Sequence, residues 1–424
     1  MTARLLLIAL LEISGGALAA PPRAADSWRT DWESARKAAQ AGSRPVLVDF
    51  QAVWCYSCYY MEQKVLSRDL FKRVAGDMVL LKLDVDSPEG RELKGRFRVR
   101  ALPSYLVLDS SGTELGRIAG ERTEVEFVMD LRRIIGEPED RDIQRLRVLS
   151  QAQDWEAAAA ARDALRSSGR GLDRDFQLWS ARIDFNRALE FKKSLAAAQA
   201  AQALLDLEEG CALAYDALNL EEATAGGEPT DPLVALRAKT RERLEVLVER
   251  RVFGPVEERC ADLRSPVEAL SDLYGEGDKR SALLERAIAL LSAESQKAGI
   301  GKDRNLDDNL RFFLEAAGKS AELDKLYPRL IKAYPADYVY SYRYAKNLLG
   351  RKEFARALPH ADAGLRLSYG VNRLSAAAVK GRVLAGLKRK AEARAFLEAE
   401  LNAARKRFPK DLKPLEDVLK EITK

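Results

Sequence analysis

Histidine is almost absent from this chain: His360 is the single example in 424 residues. Cysteine is scarce too, with four. Two of these form Cys55-Tyr56-Ser57-Cys58, while Cys211 and Cys260 stand alone and distant, so the second ligand pair of a zinc site is missing. Long hydrophobic runs are also lacking: no segment after the first 20 residues reaches the ~18 apolar residues needed to span a bilayer. Charge of one sign is not in excess. The 70 basic and 65 acidic residues leave a net +5, and no basic patch is interleaved with aromatics, which gives no argument for nucleic acid.

What is present is globular. At 47% hydrophobic and 32% charged, the chain has enough apolar residues for a sizeable core, and its length fits two or three domains. The first twenty residues differ: Arg4, the apolar run Leu5–Leu11 and the small residues Ala17-Leu18-Ala19-Ala20 have the layout of a secretory signal cleaved after Ala19 or Ala20. Glu12 interrupts the run, and an ordinary N-terminal helix is the alternative. Export would put the mature chain in the periplasm or another compartment where disulfides form. No stable membrane insertion is expected after cleavage.

The stretch Val46–Glu62 organises the rest. An apolar run, V-L-V-D-F, leads through Trp54 to the Cys pair and then to an aromatic-rich helical start. A buried strand thus delivers Cys55 to the first turn of a helix, where orphan backbone N–H groups and the positive end of the macrodipole lower a thiol pKa. Cys55 is the expected exposed, attacking thiolate and Cys58, one turn deeper, the resolving thiol. A structural disulfide or half of a zinc site is the alternative for the pair.

Around this stretch the pattern is α-β-α-β-α-β-β-α. A helix covers Trp28–Ala41, and strands cover Val46–Phe50, Met78–Val85, Tyr105–Leu108 and Thr113–Ala119. One helix runs from the Cys pair to about Val74, a short one spans Ser87–Phe97, and Glu124–Ile135 closes the unit before Pro138. This order implies a small sheet with helices on both faces. The sequence V-L-V-D-F-x-A-x-W-C-x-x-C, followed by K-L-D-V-D and then by L-P-S before a hairpin, resembles the thioredoxin superfamily. Within it, Cys58–Glu62 and the following K-V-L-S are similar to the C-terminal periplasmic domain of the transmembrane reductase DsbD. The expected α/β thioredoxin-like domain is residues 27–137.

The resemblance implies roles for further residues. Asp49 matches a buried acid that relays a proton for the resolving thiol, and desolvation would raise its pKa to suit. Glu62 matches a second acid, with a solvated helix residue as the alternative. Lys82 falls where such domains carry a lysine near the buried acid; a surface lysine is the alternative. Pro103 matches a cis-proline beside the thiols, which would leave the Leu102 backbone free to pair with an extended substrate. Trp54 reads as a partly exposed lid, and Tyr56, Ser57, Tyr59 and Tyr60 as an aromatic rim, Tyr60 being also a candidate for core packing. With neither His nor Pro inside the motif, nothing stabilises the Cys55 thiolate extremely, which favours reduction or exchange over strong oxidation. No cofactor beyond the Cys55–Cys58 couple and no metal is expected.

Residues 141–424 read as an all-α domain, rich in Ala, Leu, Arg and Glu and broken at helix-length intervals. Ser265-Pro266 fits an N-cap followed by an N1 proline. Small residues from Ala345 to Gly364 repeat in layout about 36 residues on, from Gly381 to Leu397, which resembles tetratricopeptide-type (TPR) helix pairs in an α-solenoid. An irregular helical bundle is the alternative. Cys211 and Cys260 are 49 residues apart and are expected as buried free thiols in preference to a disulfide. His360 reads as structural.

Two functions follow. The first is an exported thiol–disulfide oxidoreductase, fed by an upstream thiol–disulfide electron donor and acting on substrate-protein disulfides. Its helical domain would hold a partner or client near Cys55. The second is a binding scaffold whose thioredoxin-like domain only docks or senses redox state.

Overall fold

The computed structural model describes residues 27–136, 141–167, 174–190, 231–423 and isolated positions between 196 and 218. The expected leader, residues 1–20, lies outside the described residues. The first unit runs α1 (Trp32–Gly42), β1 (Val46–Gln51), α2 (Tyr56–Met61), α3 (Asp69–Val74), β2 (Val79–Asp84), α4 (Pro88–Arg96), β3 (Ser104–Leu108), β4 (Glu114–Ala119) and α5 (Glu124–Ile135). Its four-stranded mixed sheet has the order β2-β1-β3-β4. β1 runs parallel to β2, with Asp49 opposite Lys82, and antiparallel to β3, with Asp49 opposite Tyr105. Arg29 adds a parallel bridge to Leu81 at the β2 edge, in a stretch expected to be helical.

Strand alternation divides two cores. Val46, Val48, Phe50, Leu81, Leu83 and Leu106 face one side, against Ala35 and Ala39 of α1 and Leu93 of α4. Leu47, Leu80, Tyr105 and Val107 face the other, against Met61, Phe71 and Phe127. Asp49 and Lys82, by the same alternation, belong to that second face. The single helix expected after the Cys pair is interrupted. A π-helical turn, Glu62–Leu66, follows α2, and Arg68 is extended before α3 starts. An unbroken helix would turn Phe71 roughly 140° away from Leu66; the break lets Met61, Val65, Leu66 and Phe71 all be buried. At α5 a full capping box forms, Thr123 accepting from the Glu126 N–H while the Glu126 carboxylate accepts from Thr123.

The remainder is an all-helical region. Its described helices are α6 (Arg141–Gln151), α7 (Trp155–Ser167), α8 (Arg174–Glu190), α9 (Asp231–Arg251), α10 (Arg264–Tyr274), α11 (Asp278–Ala298), α12 (Arg304–Ala316), α13 (Ser320–Ala333), α14 (Tyr338–Gly350), α15 (Phe354–Leu367), α16 (Asn372–Gly386), α17 (Lys390–Arg407) and α18 (Lys413–Thr423). Ser265 and Pro266 sit inside the first turn of α10. Asp262 takes the capping role instead, its carboxylate accepting the N–H groups of Arg264 and Ser265 and the Ser265 hydroxyl. Small residues allow close approach in the α14–α17 pairs: a Cβ on Gly364 would lie 3.0 Å from the Tyr342 backbone nitrogen.

α12 is unusual. Arg304, Asn305, Asp307, Asp308, Asn309 and Arg311 on it are all buried. Burying charge is costly unless it is paired, and here it is: Asp308 accepts from Arg311 at 2.9 Å and also from Arg343, and Asp307 accepts from Ser295 at 2.7 Å. α12 is wedged between the helical region and α2, so its polar face meets the end of the sheet that carries the cysteines.

Candidate active site

β1 ends at Gln51, and a short turn brings Cys55 to the N-cap of α2 with extended backbone, φ −85° and ψ 99°. Its sulfur accepts the Cys58 N–H at 3.1 Å, and the two cysteines are disulfide-bonded with their Cα atoms 5.3 Å apart. The strand–turn–helix placement is therefore the expected one. The expected exposure is not: Cys55 is only 4% exposed and Cys58 5%.

The cover comes from the helical region. Arg304 donates to the Val53 carbonyl at 3.1 Å, Arg343 to the Trp54 carbonyl at 3.4 Å, and Asn305 to the Tyr56 carbonyl at 3.2 Å. Three side chains thus hold the backbone on both sides of Cys55. Arg304 and Arg343 are each paired with a carboxylate, Asp337 and Asp308 respectively, which limits the field they exert on the thiols. The tyrosines do not form an open rim. Arg264 lies over the Tyr56 ring at 4.8 Å and Arg304 over the Tyr59 ring at 4.3 Å. Tyr60 packs against the second core. Trp54 is half-buried and donates its indole N–H to Asp86 at 2.7 Å.

Cys55 lines a cleft of about 900 Å³ between the sheet end and the helical region. Trp54, Cys55, Tyr56, Ser57 and Leu102 all line it. The Leu102–Pro103 bond is cis, and Pro103 is buried behind that wall.

The candidate acids separate. Asp49 is 3% exposed, and one of its carboxylate oxygens has no hydrogen-bond partner. Burial pushes its pKa from 3.8 to about 7, opposed by the charge of Lys82 and assisted by Glu62. Lys82 donates to Glu62 at 2.8 Å, and the Glu62 carboxylate is half-exposed. Asp49, Lys82, Glu62 and the buried Tyr105 phenol are electrostatic neighbours on the second face of the sheet. Glu62 is drawn to Lys82 rather than to the cleft. Among the described residues, no group of three or more His, Cys, Asp or Glu is placed to hold a metal, and no helix is long and apolar enough to cross a membrane.

Comparison with known proteins agrees with this geometry. A family model described as thioredoxin-like matches residues 27–110. Thioredoxin H2-1 of Oryza sativa is 36% identical over 102 residues, 23% of this chain and 67% of that protein. The chain belongs to the thioredoxin superfamily. The thiol:disulfide interchange protein DsbD of Ralstonia nicotianae is 35% identical over 107 residues, 24% of this chain and 18% of DsbD. Across the DsbD relatives it matches, the chain spans only 15% to 20% of their length. A thioredoxin from Thermus thermophilus, 32% identical, aligns in structure over 27% of this chain and 92% of its own with a TM-score of 0.25. The family model falls within the first domain, and with the DsbD relatives and the Cys55–Cys58 disulfide it supports thiol–disulfide oxidoreductase chemistry.

Several residues of the thioredoxin-like domain's surroundings escape sequence reasoning. Glu121, just past β4, is 5% exposed and lines the cleft together with Ser57 of the motif. Asn305 donates to one of the Glu121 carboxylate oxygens at 3.4 Å, and the other oxygen has no partner. Burial, reinforced by the Asp262 charge, raises its pKa well above the carboxylate range. The one local signal is an acidic residue directly after Gly120, the residue that follows β4. Arg304, Asn305 and Arg343 gave no signal, because they come from helices some 250 to 290 residues away. Cys211 and Cys260, expected as free thiols, are disulfide-bonded, with Cα atoms 5.9 Å apart. The spacing of 49 residues carries no geometry, and the fold supplies it.

Proposed function

We propose that this protein is an exported thiol–disulfide oxidoreductase of the reductase or exchange type, acting on disulfides in extended protein segments. The observation that carries this is the Cys55–Cys58 pair at the N-terminus of α2, opening onto a cleft walled by Trp54 and Leu102. The DsbD relatives, named for thiol:disulfide interchange, support it. An upstream dithiol donor would first reduce the pair. Cys55, as thiolate, then attacks a client sulfur and expels the other client thiolate. Cys58 loses its proton and attacks the Cys55 sulfur, releasing the reduced client. Asp49, titrating near neutrality, is suited to take and return that proton. No further cofactor is needed. The Leu102 backbone beside cis-Pro103 would pair with the client strand, and the cleft's size admits a segment rather than a folded surface.

On this reading residues 27–137 carry the chemistry. Residues 141–424, with helix pairs of tetratricopeptide type, select what enters. Periplasmic or other export rests on the leader pattern at residues 1–20 and on the likeness to DsbD. The test is reduction of insulin by the full chain with a dithiol regenerant. Cys55→Ser should lose at least a hundredfold in rate; a wild-type rate no higher than that of Cys55→Ser would sink the proposal.

The burial of Cys55 favours a second reading, in which the thioredoxin-like domain is a docking or redox-sensing module of a binding scaffold. A Cys55→Ser/Cys58→Ser protein that keeps full biological function would select it.

A further inference from the structure

The cleft has a second disulfide in its wall. Cys55 lines it from α2, and Cys211 and Cys260 line it from the helical region. Residues flanking the two pairs touch each other. Tyr56 follows Cys55, and its ring is covered at 4.8 Å by Arg264, four residues beyond Cys260. Asp262, two residues beyond Cys260, acts electrostatically on both Tyr56 and Glu121. Cys260 is held in place, 5% exposed with its N–H donated to the Arg251 carbonyl at 2.8 Å. Cys211 is half-buried, in a short turn on the cleft side. A purely structural staple has no need to face the same solvent space as a redox dithiol. Thiol–disulfide exchange requires that a sulfur be accessible to the attacking thiolate, and the half-buried Cys211 is the more accessible of this pair.

We propose that Cys211–Cys260 is an internal redox partner of Cys55–Cys58, accepting two electrons from the reduced pair within the cleft. This rests on the assignment of Cys55 as the attacking thiolate. An external protein dithiol first reduces Cys55–Cys58 and is itself oxidised to a disulfide. The Cys55 thiolate then attacks the Cys211 sulfur: a Cys55–Cys211 bond forms, the Cys211–Cys260 bond breaks, and Cys260 leaves as a thiolate and takes up a proton. Cys58, deprotonated, attacks the Cys55 sulfur. The Cys55–Cys58 bond forms again, the mixed disulfide breaks, and Cys211 leaves as a thiolate and is protonated. Two electrons and two protons pass from one pair to the other. The consequence is mechanical as well as chemical. Reduction removes the covalent link between residue 211 and the turn before α10, so the redox state of the first domain decides whether that wall of the cleft is stapled.

The experiment uses the full chain, fully oxidised, mixed with reduced thioredoxin as the protein dithiol. Samples are quenched in acid, and differential alkylation with mass spectrometry reads the thiol fraction at each cysteine. Thiols at Cys211 and Cys260 should appear after those at Cys55 and Cys58, at a rate at least tenfold lower in Cys55→Ser. Cys58→Ser should accumulate, within one chain, a non-reduced peptide pair joining Cys55 to Cys211 or Cys260. The proposal is overturned if Cys211–Cys260 stays oxidised while Cys55 and Cys58 are fully thiol, or if it is reduced equally fast in Cys55→Ser. Insulin reduction run in parallel separates the two claims. If insulin is reduced while Cys211–Cys260 stays oxidised, the relay falls and the oxidoreductase stands. If Cys211–Cys260 is reduced through Cys55 while insulin is untouched, the relay stands and action on protein clients falls.

Discussion

Asn305 donates its side-chain amide to the carbonyl of Tyr56, the residue next to Cys55, and contacts Glu121 with the same nitrogen. One neutral side chain from the helical region therefore touches both the redox helix and the buried acid in the cleft. With Arg304 and Arg343 it makes the cysteines' accessibility a property of the contact between domains. Asn305→Ala removes one of the three holds without leaving a charge behind. After reduction, Cys55 in this variant should be alkylated several-fold faster by iodoacetamide than in the wild type. An unchanged rate, at a pH where Cys55 is thiolate in both proteins, would show that Asn305 does not limit access.

Asp49 makes a prediction whose sign follows from its pKa. The folded value, about 7, lies above the ordinary 3.8, so the fold prefers the protonated acid. Its contribution to stability is fully present below pH ~4 and is lost as pH rises through about 7. The shift corresponds to roughly 4 kcal/mol of ionisation cost at pH 8, an upper figure because Lys82 and the protein can relax. Asp49→Asn should match the wild type near pH 4 and exceed it by a few kcal/mol at pH 8 in urea denaturation of the oxidised protein. It should also slow resolution by Cys58, seen as longer-lived mixed disulfides. A wild-type pH slope retained in the variant would contradict the assignment.

The first domain could be read almost whole from sequence because its signals are local. Val46–Phe50 is apolar by run, Glu124–Ile135 is bounded by Thr123 and Gly136, and Cys55, Pro103 and Asp49 occur in a fixed order. The break after Met61 was not readable, since the intervening residues are ordinary helix formers and the π turn answers to packing against the sheet. The cover over Cys55 was not readable either. Its residues are polar positions on α12 and α14, and nothing in a helical period tells a polar residue facing water from one facing another domain. Tertiary contact alone decides that Arg304, Asn305 and Arg343 belong to the site.

Arg304 tests how firmly the two domains are joined. Its side chain is 8% exposed, as is that of its partner Asp337, and it also reaches the Val53 carbonyl and lies over the Tyr59 ring. Arg304→Ala leaves the Asp337 carboxylate without its counter-charge, holding only the Val339 N–H at 2.8 Å that caps α14, a loss on the order of 3–5 kcal/mol. The double variant Arg304→Ala/Asp337→Asn removes both charges while keeping an N-cap acceptor for α14, and should recover a large part of it. Chemical denaturation of the four proteins of the cycle would show the coupling; additive single losses would mean that the pair is not energetically linked.

Gly364 tests the helix-pair reading of the C-terminal half. It packs against the start of α14, where a Cβ would lie 3.0 Å from the Tyr342 nitrogen and 3.1 Å from its Cα. These are backbone atoms of a neighbouring helix, and they can yield only if α14 and α15 move apart. Alanine has the better helix propensity by roughly 1 kcal/mol, so the two effects oppose. Forced separation of packed elements costs about 1–3 kcal/mol, and the contact is with backbone, so the clash should win. Gly364→Ala is therefore expected to lower stability by about 1–2 kcal/mol. Gly95→Ala is the control: a Cβ there meets nothing within 4 Å, and the substitution in α4 should be neutral or stabilising. If the two variants gained equally, α14 and α15 would not be in the close contact that a helix pair requires.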